Sequence, residues 1–375
     1  MRQHVIEAIE AKDLKVLLES MGTTKVFLVT GKQSFFDSGA KKFIDAAMAN
    51  LQYTRFFEFD QNPKYEEALI GVQRFLESKC DLIIAIGGGS VIDMAKLINV
   101  FSANIEIDPM ELVLGLKTIE KKGVKFVAIP TTGGTGSEAT HFAVVYHKHK
   151  KFSVADKKML PDVIGLNEKF LSSQSAYLIA CAGMDAISQA IESKWSVNST
   201  EESRTYAAEA IVLMKDHLVK GARFRQRSDL EKLLKGAYLA GRAINISKTT
   251  APHAVSYTFT SQFGIPHGHA VFLTLPDFLV YNYSLDSSNC NDPRGVDFVK
   301  KEVLHICGLL GVKSANQARD YLIELAKSLD VEIQASKLGL TNFANTVARN
   351  VNLERLGNNP RRISKDQLVE LLEAL

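Results

Sequence analysis

Short apolar runs alternate with helical periods through the first half of the chain. The run from Lys25 to Val29 predicts a strand, Gly31 to Phe36 a loop, and the residues after it a helix. A strand near Tyr53 to Phe59 and a helix from Tyr65 to Glu77 continue the alternation. Strands interleaved with helices are typical of a mostly parallel sheet covered on both faces, so we predict an α/β domain.

Two glycine-rich segments in this half each follow an apolar run. They are GGGSVIDMAK at residues 87–96 and PTTGGTGSE at residues 130–138. Ser90 with Asp93 predicts a capping box that opens a helix. Glycines allow close backbone approach, and a helix start offers free N–H groups to an anion. One such segment alone is explained by a tight turn, but the second favours a phosphate-binding site, although neither is the G-x-G-x-x-G fingerprint.

Strand patterns stop near Leu171, and helical periods take over. Ser172 and Ser173 predict the cap of a helix from Ala176 to Ser193. Ser364 predicts a capping box for a terminal helix. The further predicted helices are Glu201–Val219, Ser228–Ala243, Val296–Leu309, Ala315–Leu329 and Lys365–Leu375. We place an α/β domain at residues 1–168 and an all-helical domain at residues 169–375.

The composition fits a globular protein and argues against several function classes. The chain has 375 residues, of which 46% are hydrophobic, and a formal net charge of +3, too small to indicate nucleic-acid binding. No run of about 18 apolar residues predicts a membrane span. Met1 to Lys15 lacks the apolar centre of a signal peptide, and the four cysteines form no C-x-x-C pair. We expect a cytoplasmic protein with no nucleic-acid or membrane partner, whose assembly into a homo-oligomer stays open.

The two glycine-rich segments, in this order and at this separation, resemble those of the iron-containing (group III) alcohol dehydrogenase family. The resemblance covers nearly the whole chain, as far as Asn359-Pro360 and the helix after Ser364. It implies a dehydroquinate synthase-like α/β domain that holds NAD or NADP, followed by an all-helical domain that holds a divalent metal. The residues it implies for cofactor binding are Gly31, Gly87, Gly88, Gly89, Ser90, Asp93, Thr131, Thr132, Thr135, Ser137 and Lys151.

The resemblance implies four metal-ligand positions in the helical half. Asp185 and Gln189 stand four residues apart, on one face of a helix, and His253 and His267 follow. One carboxylate and two imidazoles suit Fe(II) or Zn(II). The family usually has a histidine where Gln189 stands, so this amide either supplies a weak oxygen ligand or leaves its place to water. His269 is expected to be structural.

Tyr257 is a second departure from the family pattern. Alcohol-oxidising relatives have a histidine four residues after the first ligand histidine, near the substrate and the nicotinamide. A tyrosine is a poor base at neutral pH because its reference pKa is about 10, but it can donate to a substrate oxygen. We expect His253, His267 and Tyr257 to carry catalysis, with simple packing as the alternative for Tyr257.

Three segments, at residues 188–193, 195–200 and 246–254, resemble the phosphonoacetaldehyde reductase subgroup of the family. That resemblance implies reduction of phosphonoacetaldehyde to 2-hydroxyethylphosphonate, and a phosphonate needs cationic or N–H donors. Lys248 and Arg242 are the candidate substrate-binding residues. Lys194, after the Asp185 helix, is expected to be a surface charge.

The first turn of the α/β domain predicts that NADPH is accepted and leaves NADH possible. NAD-selective relatives have an aspartate where Gly31 stands, and Lys32 and Ser34 offer donors to a 2′-phosphate. His147 and His149 are expected in a solvated basic loop. We therefore predict an NAD(P)H-dependent, metal-assisted aldehyde reductase acting on a small molecule. The alternatives are a reductase or dehydrogenase of an unphosphonylated short-chain aldehyde, alcohol or diol, an NAD-using lyase of the dehydroquinate synthase type, and a binding protein with a decayed site.

Overall fold

The chain folds into two compact units, Met1–Gln174 and Ser175–Leu375. The computed structural model describes residues 3–148 and 150–375. The division falls six residues after the boundary expected near residue 168, directly before the first long helix of the second unit. In the described part of the chain, no helix combines the length and the apolar character needed to cross a bilayer.

The first unit is built on a parallel sheet with helices between its strands. The strands are β1 (His4–Ile6), β2 (Lys25–Thr30), β3 (Gln52–Phe56), β4 (Leu82–Gly87), β5 (Lys125–Pro130), β6 (Phe142–His147), β7 (Lys150–Ala155) and β8 (Val163–Gly165). The helices are α1 (Ala11–Ser20), α2 (Ser34–Asp37), α3 (Ala40–Ala47), α4 (Tyr65–Ser78), α5 (Gly89–Ala103) and α6 (Pro109–Val113). Among residues 3–148 and 150–174, six strands pair in the order β1-β8-β5-β4-β2-β3, all parallel, and this confirms the predicted α/β sheet.

Both faces of this sheet are buried, because alternate residues of β2, β4 and β5 enter two separate cores. In β2, for example, Phe27 and Val29 join one apolar cluster and Val26 and Leu28 the other. Strand β2 pairs with β3 on one side and β4 on the other, so the strand order reverses there. Ligands of such sheets bind at the carboxyl ends of the strands beside the reversal. The predicted turn at Gly31 and the first glycine-rich segment occupy those two strand ends.

Two local predictions in the first unit were wrong. Helix α5 is capped by Gly88, and Ser90 lies inside its first turn, where its hydroxyl accepts from the N–H of Asn62 at 3.2 Å. Strand β4 ends at Gly87 and α5 begins at Gly89, so the helix starts before Ser90. The basic stretch at His147 belongs to the antiparallel hairpin β6–β7, with the His147 imidazole 2.8 Å from Glu66. His149 lies outside the described residues.

The described residues of the second unit are organised as helices, as predicted. They are α7 (Ala176–Trp195), α8 (Glu201–Phe224), α9 (Arg227–Ser247), α10 (Ala251–Phe263), α11 (His267–Phe272), α12 (Leu275–Tyr283), α13 (Val296–Leu310), α14 (Ala315–Ser328), α15 (Phe343–Arg349), α16 (Leu353–Leu356) and α17 (Lys365–Glu373). Ser364 caps α17 with the predicted capping box. The cap of α7 is Ser175, whose hydroxyl accepts from Leu178, whereas the Ser172 hydroxyl donates back to Lys169 in the preceding turn. The predicted cap at Ser172 and Ser173 was therefore wrong.

Candidate active site

The two glycine-rich segments lie side by side at the carboxyl ends of β4 and β5. The N–H of Thr131 donates to the carbonyl of Gly87 at 3.0 Å and joins the segments directly. Gly89 allows the second segment to approach, since a Cβ built on it would lie 2.8 Å from the Thr135 hydroxyl oxygen. Gly88, Gly89 and Ser90 are partly exposed, so their backbone at the start of α5 is accessible to a ligand.

Asp93 and Lys96, both in the first segment, bind the second segment through side-chain hydrogen bonds. The Asp93 carboxylate accepts from the Ser137 hydroxyl and from the N–H of Val144. The Lys96 ammonium is fully buried and donates to the carbonyls of Ser137 at 2.6 Å and Phe142 at 2.8 Å. These contacts show that Asp93 and Ser137 hold the loops together, while their predicted contact with the cofactor stays a prediction. Sequence analysis missed Lys96, although a lysine one turn from Asp93 in an apolar helix is a signal.

Burial perturbs the ionisation of this cluster. It lowers the pKa of Lys96 to about 8, against the opposing charges of Asp93 and Glu138. It raises the pKa of Glu138 to about 7, although a backbone hydrogen bond and Lys96 act in the other direction. Burial also raises the pKa of Asp93, which the charges of Lys96 and Lys151 lower. Lys151, on β7, thus lies near the junction of the two loops, where a cofactor contact is predicted.

The turn after β2 is held by a guanidinium that sequence analysis also missed. Arg55 donates to the carbonyl of Gly31 at 2.9 Å and to the Thr30 hydroxyl at 2.8 Å. Lys32 is exposed and bonds Asp60 at 2.8 Å, and Ser34 begins α2. The turn is therefore fixed by the protein itself, and its side chains line an accessible strand end.

The second unit brings three of the predicted metal ligands together. Asp185 lies on α7, His253 on α10 and His267 at the start of α11. One ligand atom from each lies within 4.8 Å of the other two, and Asp185 and His253 are buried. A carboxylate oxygen and two imidazole nitrogens at this separation fit a single Fe(II) or Zn(II) ion.

Gly268 explains why α11 can place its first residue against α7. A Cβ at Gly268 would lie 1.9 Å from the carbonyl oxygen of Cys181 and 2.9 Å from the Asp185 Cβ. Any larger residue would push the two helices apart. The close approach therefore positions His267, the residue before it, beside Asp185.

Glu192 contacts a residue of the predicted metal site and is not itself a predicted ligand. Its carboxylate is fully buried and accepts from Nδ1 of His253 and, at 2.8 Å, from the Thr250 hydroxyl. Nε2 of His253 then lies 3.2 Å from Asp185. Burial alone would lower the pKa of His253, but Glu192 and Asp185 outweigh it and raise the pKa to about 9. Burial likewise disfavours ionised Asp185, yet the hydrogen bond from His253 and the charge of His267 hold its pKa below the usual value.

Gln189 and Tyr257, the two departures from the family pattern, both lie beside this triad. The buried Gln189 amide hydrogen-bonds Asp185, one turn away on α7. The Tyr257 ring stacks on the His267 ring with centroids 5.8 Å apart. Burial raises the pKa of Tyr257, while the nearby charge of Arg355 and a hydrogen bond with Thr249 lower it. Helix α10 continues through Tyr257, as the proposed shared face with His253 requires.

The predicted anion-binding residues, Lys248 and Arg242, contact other protein side chains in the structure. Lys248 is half exposed and bonds Glu354 at 3.0 Å. Arg242 donates to the hydroxyls of Tyr238 and Tyr206 and stacks on the Tyr206 ring. Their contact with substrate stays a prediction.

Lys194 and His269 have structural roles in the second unit. The expectation of a surface charge at Lys194 was wrong, because it is 2% exposed and pairs with Glu302 at 2.7 Å on the adjacent α13. His269 contacts the Tyr177 hydroxyl at 3.0 Å and the carbonyl of Glu332 at 2.6 Å.

Comparisons with known proteins agree with this geometry. Residues 2–167 match the family model for iron-containing alcohol dehydrogenase, and residues 179–375 match the model for the C-terminal part of that family. The chain is 31% identical over 332 residues to a phosphonoacetaldehyde reductase of Streptomyces viridochromogenes, covering 83% of this chain and 80% of that protein. It is 26% identical over 373 residues to an NADPH-dependent butanol dehydrogenase of Clostridium saccharobutylicum, covering 96% and 93%.

A solved structure extends the similarity to the whole fold. The sulfoacetaldehyde reductase of Bifidobacterium kashiwanohense, solved in complex with NAD+, superposes with a TM-score of 0.86 at 26% identity and covers 100% of this chain and 99% of that one. The two family models match on either side of the division between the two units. The chain therefore belongs to the iron-containing alcohol dehydrogenase family and is an NAD(P)-dependent, metal-using oxidoreductase.

Proposed function

We propose that this enzyme reduces phosphonoacetaldehyde to 2-hydroxyethylphosphonate with NAD(P)H. The observation that supports this substrate is the 31% identity with the Streptomyces phosphonoacetaldehyde reductase over 83% of the chain. Family membership favours a dehydrogenase over a lyase of the dehydroquinate synthase type and over a binding protein with a decayed site. Reduction of an unphosphonylated aldehyde is the nearest enzymatic alternative.

Sulfoacetaldehyde is a second candidate substrate. The structural similarity to the Bifidobacterium sulfoacetaldehyde reductase, over the full length of both chains, supports it. The two aldehydes share a two-carbon skeleton and differ only in the tetrahedral anion, so one site architecture suits both.

The roles of the side chains follow from their contacts. Asp185, His253 and His267 hold the divalent metal. Glu192 accepts a hydrogen bond from Nδ1 of His253, which leaves Nε2 for the metal. When bound, the metal supplies Lewis-acid polarisation of the aldehyde carbonyl, and the reduced nicotinamide supplies a hydride. Tyr257 remains a neutral phenol near pH 7, because its pKa is raised, and donates a proton or hydrogen bond to the aldehyde oxygen. One aldehyde, one NAD(P)H and one proton yield one alcohol and one NAD(P)+.

The cofactor contacts are assigned to the first unit. The N–H groups at Gly88, Gly89 and Ser90 bind the pyrophosphate, with Thr132 and Thr135 of the second loop alongside. Gly31 leaves room for the 2′-phosphate of NADPH.

The four cysteines are free, which supports a reducing, cytoplasmic compartment.

The test is an aldehyde panel assayed with NADH and with NADPH. The panel contains phosphonoacetaldehyde, sulfoacetaldehyde and 3,3-dimethylbutanal, a neutral aldehyde of similar shape. We expect kcat/KM for phosphonoacetaldehyde to exceed that for the neutral aldehyde by about a hundredfold, or about 2.8 kcal/mol. A preference for the neutral aldehyde would reject the proposal in favour of a plain alcohol dehydrogenase, and a preference for sulfoacetaldehyde would favour the second candidate.

A further inference from the structure

Arg355 is a buried cation whose charge acts on Tyr257, the ring that stacks on His267. It lies in the short helix α16, between the metal-site helices and the chain's last helix, and is only 9% exposed. Its backbone N–H is capped by the Asn352 side chain at 2.9 Å. Removing a guanidinium from water is costly, so a buried guanidinium must be stabilised by polar or anionic groups around it.

Helix α16 is fixed to the start of α10, the helix that carries His253. Before α16, the N–H of Asn352 donates to the carbonyl of Ala254, the residue after His253, at 3.4 Å. After α16, the Asn358 amide donates to the carbonyl of Thr249 at 3.0 Å. Both ends are therefore attached to the segment around the ligand histidine, and Arg355 is held in a defined position.

Tyr257 lies between the surroundings of Arg355 and the predicted metal ligands. The Tyr257 ring stacks on His267, a member of the triad, and its hydroxyl bonds Thr249. The charge of Arg355 acts on this same phenol and lowers its pKa. The guanidinium thus lies on the Tyr257 side of the metal site, near the group proposed to face the aldehyde oxygen.

The neighbouring surface cation is engaged differently. Lys248 is 47% exposed and pairs with Glu354, the residue before Arg355, which is 61% exposed. An exposed ion pair of this kind is screened by water, and its cation is already paired with a carboxylate. A guanidinium shielded from water presents a rigid fork that matches the oxygens of a tetrahedral anion.

We propose that Arg355 binds the anionic group of the substrate and selects aldehydes that carry a phosphonate or sulfonate. This inference rests on the proposed function, because it presupposes an anionic aldehyde at the metal triad. Arg355 then fixes the far end of the substrate while the carbonyl lies at Asp185, His253 and His267. The buried site favours the charged substrate over a neutral one of the same shape.

The experiment compares Arg355→Met with the wild-type enzyme on phosphonoacetaldehyde, sulfoacetaldehyde and 3,3-dimethylbutanal. We expect kcat/KM to fall about a hundredfold for both anionic aldehydes, mainly through KM, and to change less than about threefold for the neutral one. Binding of 2-hydroxyethylphosphonate, measured by calorimetry, should weaken by a similar factor. Arg355→Lys, which keeps the charge and loses the fork, should give an intermediate loss and provides a test if Arg355→Met does not fold.

The matched control is Arg362→Met, which removes an exposed guanidinium a few residues away. It should leave the ratio between anionic and neutral substrates unchanged. Equal losses for all three aldehydes in the Arg355 variants, or a selective loss in Lys248→Met instead, would overturn the assignment. A wild-type enzyme without any preference for anionic aldehydes would reject the proposed function, and the role of Arg355 with it. A wild-type preference that survives in Arg355→Met would reject the role of Arg355 alone.

Discussion

Among individual residues, Glu192 is placed to act on a bound metal through the predicted ligand His253. Its buried carboxylate accepts from His253 and from both the N–H and the hydroxyl of Thr250. A histidine whose Nδ1–H is bound by a carboxylate presents Nε2 in one tautomer and one orientation, and is a more basic ligand. Glu192 is therefore a positioning residue for the triad.

Replacing Glu192 by glutamine tests this role. Glu192→Gln keeps the shape of the side chain but removes the charge that supports His253. We expect the affinity for Zn(II) to fall about 10- to 100-fold, measured by titrating the metal-free protein against a competing chelator. Glu324→Gln, on an exposed face of α14, is the matched control and should bind metal as the wild type does. Unchanged affinity in Glu192→Gln would reduce Glu192 to a packing residue.

The sequence allowed the three candidate metal ligands, which the structure brings together, to be named, but not the residues that contact them. Asp185, His253 and His267 stand in motifs whose residue types are themselves metal ligands. Glu192 offered a signal, since it lies seven residues after Asp185 and so on the same helix face. Its partner His253 is 61 positions away, and no local pattern reveals that contact. Arg355 is a cation in a polar stretch, so its burial depends on tertiary packing.

At the scale of elements, the reversal of strand order at β2 and β4 explains where the turn at Gly31 lies. Gly31→Asp tests whether this turn contacts the adenosine ribose, by adding a negative charge near the expected 2′-phosphate. We expect kcat/KM with NADPH to fall about 10- to 100-fold relative to NADH, equivalent to about 1.4–2.8 kcal/mol. Gly31→Asn is the uncharged control and makes the same steric demand. In both variants the new Cβ would lie 2.2 Å from the Ser34 hydroxyl oxygen, so the Ser34 side chain must rotate. Equal effects on both cofactors would show that the ribose lies elsewhere.

The two loops of the first unit are joined by buried charges, which makes their stability dependent on pH. Burial raises the pKa of Glu138 in the folded state to about 7, against about 4.5 in the unfolded chain. The contribution of Glu138 to the free energy of unfolding is therefore fully present below pH 4.5 and is lost as the pH rises towards 7. The loss is on the order of 3 kcal/mol. In Glu138→Gln, the free energy of unfolding measured in urea should change less between pH 4.5 and 7 than in the wild type. Glu106→Gln, at an exposed position, should show the same pH dependence as the wild type. An identical slope in all three proteins would contradict this assignment.

Element boundaries were predicted best where burial dictates the pattern. Strands β2, β4 and β5 are almost entirely buried and appear as apolar runs in the sequence. The run predicted from Lys25 to Val29 ends one residue before the observed end of β2 at Thr30. The hairpin β6–β7 was missed because its tip is basic, with His147 and Lys150 paired across it. The caps at Ser90 and Ser172 were misplaced because serine is common in several turn types, and backbone geometry decides which one caps.

At the scale of the molecule, the two kinds of site are built from separate parts of the chain. The two glycine-rich loops are joined by contacts within Met1–Gln174, and the three predicted metal ligands lie together within Ser175–Leu375. The Lys96 contacts that hold the loops involve no metal ligand. Cofactor binding and metal binding are therefore expected to be separable in the intact enzyme.

Chelation of the intact enzyme tests this separation. Removing the metal should abolish aldehyde reduction, because Lewis-acid polarisation of the carbonyl contributes several kcal/mol to the transition state. NADPH binding, followed by the fluorescence of the reduced nicotinamide, should change less than about threefold, and Zn(II) or Fe(II) should restore turnover. His267→Ala, which removes one ligand, should lower kcat by a few orders of magnitude and bind NADPH normally. Full activity after thorough chelation would remove the metal from the mechanism, and a parallel loss of NADPH binding would show that the two sites are coupled.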